Sequence, residues 1–205
     1  MVIHWYGEGC FRVQTGGLAM LTDPIRAESG LTPPRFKADL TVRTLTAPPP
    51  ASSFGGEASG ETVVTGPGEY EIRGLEVRGW ALMADRGSFK TYYRIVVEGL
   101  RLLFLGHASV MPEASLFENA GRVDLVFIPV GGPPYLEAVP AAKLIKQLEP
   151  KVAVASFFKV PGLTRKAHDP KAFFKEFDQP FSPEEKITVK KTDLPERLKL
   201  VALKP

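Results

Sequence analysis

The stretch from Lys37 to Pro50 constrains this chain more than any other. It reads Lys-Ala-Asp-Leu-Thr-Val-Arg-Thr-Leu-Thr-Ala-Pro-Pro-Pro, and Ala38, Leu40, Val42 and Thr44 give its first half the β-branched, apolar character of a buried strand. Three consecutive prolines remove the donors a sheet ladder needs, so the strand ends there. In α/β architectures the loops leaving strand ends are where chemistry is usually mounted. Here Leu45, Thr46, Ala47, Pro48, Pro49 and Pro50 bring one hydroxyl and no imidazole, carboxylate or thiol.

The rest of the chain supplies strands first and helices later. Val2 to Val13 reads as a strand, a Gly-containing turn and a second strand. Gln14-Thr15-Gly16-Gly17 turns into Leu18 to Thr22, which stops at Asp23-Pro24. Ala27 to Phe36 is a proline-bearing loop, and Ala51 to Gly60 is too rich in Gly and Ser for a helix. Thr62 to Thr65 is a short strand. After the Gly66-Pro67-Gly68 turn, Glu69 to Val77 forms a strand pair, and Trp80 to Met83 leads into a loop at Ala84 to Ser88. Thr91 to Val97 and Leu100 to Leu105 form a hairpin across Glu98-Gly99. Pro112 to Ala120 holds a short helix, and the apolar Val123 to Val130 reads as a strand covered on both faces. Ala138 to Leu148 is the clearest helix, with Val139, Ala142, Leu144, Ile145 and Leu148 on one stripe. Val152 to Ala155 is a buried strand, Asp169-Pro170 opens a helix through Phe177, and Ile187 to Val189 and Leu198 to Leu203 are closing strands. The pattern loosely repeats after the midpoint. An α+β, αββα sandwich follows as the expected fold: two mixed β-sheets face to face, helices on the outer faces, and residues 1–205 as a single domain.

With 26 basic and 23 acidic side chains the charge is nearly balanced, and no nucleic-acid surface is expected. No apolar run is long enough to span a bilayer and no secretory leader is visible, so the expectation is a cytoplasmic protein without membrane contact. The single Cys10 has no internal disulfide partner.

Several segments taken together resemble a known family: Trp5-Tyr6-Gly7-Glu8-Gly9-Cys10, Leu21-Thr22-Asp23-Pro24, Gly66-Pro67-Gly68-Glu69-Tyr70, Leu105-Gly106-His107, Ile128-Pro129-Val130-Gly131-Gly132 and Lys159-Val160-Pro161-Gly162. In this order they are similar to the metallo-β-lactamase superfamily, in the branch of small metal-dependent hydrolases like the ascorbate-6-phosphate lactonase. The resemblance covers nearly the whole chain. It implies the same sandwich, and hydrolysis of esters, lactones, amides or phosphodiesters by one or two zinc-like ions that activate a water.

Carried over residue by residue, the resemblance also implies where the ions would sit. The family loop His-x-His-x-Asp-His falls on Leu45, Ala47, Pro49 and Pro50, none of which has a side-chain lone pair to give. The bridging aspartate of Leu-Gly-Asp falls on His107, and the late histidine two positions before Lys-x-Pro-Gly falls on Phe157. The turn with Glu8 and the position of Ala84 normally carry further histidines, and Asp23 orders the loops behind the site. The expectation is a catalytically inactive relative with no cofactor and no bound metal, whose former metal-site cleft is formed by Leu45, Ala47, Pro49, Pro50, His107 and Phe157. Its role would be binding or assembly, as a homo-oligomer or with a protein partner. His107 would then fill the vacated space and hydrogen-bond to Glu8 or a backbone carbonyl.

Two other readings remain open. One is a hydrolase of lactone, ester or phosphodiester bonds with a rearranged site built on Glu8, Asp85, His107 and Lys159, with or without one divalent ion. The other is a small-molecule sensor whose cleft is lined by Leu45, Phe157 and Tyr92. His4 and His168 read as structural residues, Cys10 has no basic neighbour to activate it, and Ser109 lacks a Gly-x-Ser-x-Gly context.

Overall fold

The computed structural model describes residues 1–46, 62–82 and 88–205. Residues Ala47, Pro49, Pro50 and Asp85, and the segment expected to lack a helix at 51–60, lie outside them. The first sheet contains β1 (Val2–Trp5), β2 (Phe11–Thr15), β3 (Leu18–Thr22), β4 (Leu40–Arg43), β6 (Thr62–Thr65) and β13 (Ile187–Thr188), in the order β13-β1-β2-β3-β4-β6. The second contains β7 (Gly68–Ile72), β8 (Leu75–Leu82), β9 (Phe89–Val97), β10 (Leu100–Phe104), β11 (Leu125–Pro129), β12 (Val152–Ser156) and β14 (Lys199–Val201), in the order β14-β12-β11-β10-β9-β8-β7. A short β5 (Leu45–Thr46) joins its edge through β9. Both sheets are mixed.

The two sheets meet through aromatic rings. Phe11 of the first sheet packs edge-on against Phe127 of the second at 4.8 Å, and Phe127 stacks on Phe104 at 4.1 Å. Each is buried, and a buried aromatic contributes the largest single share of core apolar area. Trp5 meets Phe158 at 4.5 Å and extends the same layer.

The three described α-helices all come from the second half: α1 (Ser115–Ala120), α2 (Ala138–Leu148) and α3 (Lys171–Lys175). The stripe expected on α2 holds at Ala142, Leu144, Ile145 and Leu148 and fails at Val139. Ala141, Ala142, Leu144 and Ile145 are buried, but Val139 is 63% exposed. Val139 lies in the first turn, before the helix settles onto the sheet. Strand β8 continues past Val77, where the expected strand pair ended, through Trp80 to Leu82, because Trp80, Ala81 and Leu82 pair with Tyr92, Thr91 and Lys90. None of the described helices is long and apolar enough to cross a membrane.

The Lys37–Pro50 stretch departs from its expected path at Thr44. Strand β4 ends at Arg43, and across the single residue Thr44 the chain passes to the other sheet, where Leu45 and Thr46 pair with Lys90 and Phe89. The crossing is pinned from both sides. The Thr44 carbonyl accepts from Thr91 N at 2.9 Å, and Thr44 N donates to Asp23 Oδ1 at 2.7 Å. Strands β1, β3 and β4 run in one direction in their sheet, and β10, β11 and β12 are mutually parallel in theirs.

Candidate functional site

The loops leaving those six strands converge on one cavity of about 180 Å³. Its wall includes Glu8 after β1, Asp23, Arg26 and Ser29 after β3, Arg43 and Leu45 at the end of β4, His107 after β10, Tyr135 after β11 and Phe157 after β12. A polar hollow at the carboxyl ends of strands is the usual place for a ligand in such sheets.

Glu8 sits in a tight turn with φ +50°, its carbonyl accepting from Trp5 Nε1 at 2.9 Å. Both carboxylate oxygens are taken: Arg165 Nε reaches Oε1 at 3.1 Å and Arg165 Nη2 reaches Oε2 at 2.9 Å. The same Nη2 donates to the Phe157 carbonyl at 2.7 Å, and the guanidinium lies over the Tyr135 ring at 5.0 Å. Phe157 therefore has its backbone held at both ends, since its N–H donates to the Glu8 carbonyl at 3.2 Å. These contacts keep a bulky residue at φ +56°, a conformation that normally costs on the order of 1–3 kcal/mol.

A second group forms a chain. Thr44 Oγ1 donates to Asp23 Oδ2 at 2.6 Å and lies 2.7 Å from His107 Nδ1. A hydroxyl has one proton, and the carboxylate receives it, so Oγ1 accepts from Nδ1–H. That fixes the tautomer and leaves the Nε2 lone pair without a hydrogen-bond partner among the described residues. Burial lowers the His107 pKa, against the upward pull of Asp23 and Glu8, so the imidazole is neutral at pH 7. The ring is gripped edge-on by Phe157 at 4.9 Å and Tyr135 at 5.6 Å. The Tyr135 pKa is raised by burial and by Glu8.

Two glycines make the approach possible. A Cβ on Gly106, which has φ +46°, would lie 2.0 Å from Thr44 Oγ1; one on Gly9 would lie 2.8 Å from the Phe157 ring and 2.9 Å from Asp23 Oδ2.

The structure brings Glu8, Leu45, His107 and Phe157 to one wall and leaves two named residues elsewhere. Lys159 is exposed and does not line the cavity. Tyr92 lies in a separate apolar groove with Phe89 and Val110, stacked on Trp80 at 5.4 Å. His107 bonds to the Thr44 hydroxyl and not to Glu8 or a backbone carbonyl, because Arg165 has already engaged Glu8. Arg165, Tyr135, Arg26 and Arg43 were not anticipated, and Thr44 was read as a strand residue alone. Cys10, fully buried, has its thiol pushed up to about 12 by burial and is no nucleophile.

The donor set does not fit a dinuclear metal centre. Leu45 and Phe157 present carbon to the cavity, Arg165 occupies the Glu8 oxygens and Thr44 those of Asp23. Arginines around the wall oppose a dication further. Among the described residues, no group of at least 3 His, Cys, Asp or Glu is placed to hold a metal ion.

A family model described as a beta-lactamase superfamily domain matches residues 2–156. It does not single out the lactonase branch. A proposed zinc-dependent hydrolase of the metallo-β-lactamase superfamily from Thermotoga maritima is 23% identical, with 98% of this chain and 97% of that one covered at a TM-score of 0.79. A metallo hydrolase from Ignicoccus hospitalis is 17% identical, with 92% and 99% covered at 0.64. The metallo-β-lactamase fold protein YhfI from Bacillus subtilis is 10% identical, with 99% and 96% covered at 0.60. The search of curated proteins finds no match. At these identities the likeness to solved structures is one of fold.

Proposed function

The chain belongs to the β-lactamase superfamily, and from that membership we propose that it is a member without the superfamily's metal-dependent hydrolysis, retained to bind a small polar molecule in the cleft. One observation carries this reading. The carboxylates that remain at the site, Glu8 and Asp23, spend every oxygen on Arg165 and Thr44, and two family ligand positions are Leu45 and Phe157. Burying unpaired imidazoles there would cost roughly 1–3 kcal/mol for each unsatisfied group, and the replacements turn that cost into packing.

Metal analysis of protein purified from medium supplemented with zinc, manganese and iron tests the reading. The expected result is well below one metal per chain, and near-stoichiometric metal held at the cleft would sink it. The assembly side of the role, self-association or a protein partner, is read by light scattering on the purified chain.

A second reading rests on the Asp23–Thr44–His107 chain, which leaves Nε2 of a neutral, cavity-lining His107 without a partner among the described residues. Such a group can take a proton from water attacking an ester or lactone without any ion. Lysis of simple lactones that vanishes in His107→Ala would favour this over the binding role.

A further inference from the structure

Two arginines are among the residues that line the cavity, both of them exposed. Arg26 follows β3 and Arg43 ends β4. Among the described residues neither side chain makes a hydrogen bond or ion pair. The field of Arg26 reaches the buried side chains of the wall, acting on both His107 and Tyr135. With Glu8 matched by Arg165, the wall sets the single carboxylate of Asp23 against these two cations. Asp23 is itself turned to Thr44. Unpaired arginines beside a hollow present the forked donors that suit carboxylate or phosphate oxygens.

A second polar feature of the lining has the opposite demand. His107 Nε2 is an acceptor with no donor facing it among the described residues, and the side chain is only 14% exposed. A ligand that offered only negative charge there would meet a lone pair. One with an O–H would satisfy it.

We propose that the cavity binds a small oxyanion bearing a hydroxyl group, with the carboxylate or phosphate on Arg26 and Arg43 and the hydroxyl donating to His107 Nε2. The inference rests on the binding reading above and names its ligand class. At about 180 Å³ the cavity lies below the range of drug-sized sites, so its ligand is small. A short hydroxy acid fits that space, with its carbon against Leu45, Phe157 and Tyr135.

The probes are glycolate, acetate, glycolamide and inorganic phosphate, titrated into the full chain and followed by amide nuclear magnetic resonance shifts. Glycolate binds saturably, glycolamide at least about tenfold more weakly, and acetate about fivefold more weakly. The Arg26→Gln/Arg43→Gln pair costs glycolate at least about tenfold, and His107→Gln erases the margin over acetate while the dispersed spectrum shows the fold intact. Phosphate binding more tightly than glycolate assigns the anion to a phosphate group, and the reverse order assigns it to a carboxylate. Glycolamide binding as well as glycolate, an arginine pair without effect, or no shift with either anion overturns the proposal. Binding of the neutral amide alone would leave the cavity a binding site and remove only the anion. Stoichiometric metal at the cleft would remove the binding reading and this proposal with it, whereas an arginine pair without effect in metal-free protein removes the proposal alone.

Discussion

Arg165 grips Glu8 across 157 positions of sequence, meeting both carboxylate oxygens at 3.1 and 2.9 Å. The pair is about one fifth exposed on each side, 20% and 18%, and the same guanidinium holds the Phe157 carbonyl. One side chain thus ties the loops after β1 and β12 together behind the cavity.

Arg165→Ala strands a half-buried carboxylate and an unpaired carbonyl. The loss is about 2–3 kcal/mol, below the cost of breaking a fully buried pair because some water reaches both groups. Urea unfolding of the single variants and of Glu8→Gln/Arg165→Met reads it. The double variant is expected to be more stable than Arg165→Ala, and equal stability of Arg165→Ala and the parent would show that the pair holds nothing.

Gly106 has φ +46° and no room for a Cβ, which would sit 2.0 Å from Thr44 Oγ1. Gly106→Ala therefore costs about 1–3 kcal/mol. It also pushes Thr44 off His107, so the imidazole nitrogen shifts move together with the drop in melting temperature. A lowered melting temperature with unchanged His107 shifts would mean that Gly106 serves the turn alone.

Strands such as Leu125–Pro129 and the helix Ala138–Leu148 were legible because their burial imposes a pattern on neighbouring residues. The cavity was legible in part, since Glu8, Leu45, His107 and Phe157 were all expected at it and share one wall. Leu45 and Phe157 declare themselves by lacking donors, whereas Arg165 and Tyr135 sit in loops where no period applies, and their partners lie far off in sequence. Thr44 looks like any β-branched strand residue. Its role follows from the chain crossing between sheets at that point, which depends on pairing with β9 that local sequence does not encode.

Burial lowers the pKa of His107 below the ordinary 6.5, so below that pH the unfolded chain takes up more protons than the folded one. Stability is fully present above pH 6.5 and falls as the pH drops through it. His4, lowered by burial and by Arg12, acts with the same sign. The carboxylates with depressed pKa, Glu98 and Asp124, enter only below their ordinary 4.5 and 3.8. Urea midpoints between pH 8 and 5 therefore report the histidines. His107→Gln is expected to flatten part of that fall, and an unchanged slope would show that His107 is not buried as a neutral ring.

Phe157 combines a side chain 1% exposed with a backbone at φ +56°, and the two features pull a substitution in opposite directions. Removing the ring from between His107 and Tyr135 costs about 3–5 kcal/mol whichever small residue replaces it. At an ordinary φ, glycine would be worse than alanine by roughly 0.5–1 kcal/mol because the unfolded chain gains freedom. At a positive φ alanine is strained and glycine is not, so Phe157→Gly is expected to be no less stable than Phe157→Ala. Chemical denaturation of the two variants side by side decides it. Alanine ahead by the usual margin would mean that the Glu8 and Arg165 contacts relax once the ring is gone and that the left-handed turn is not imposed by the fold.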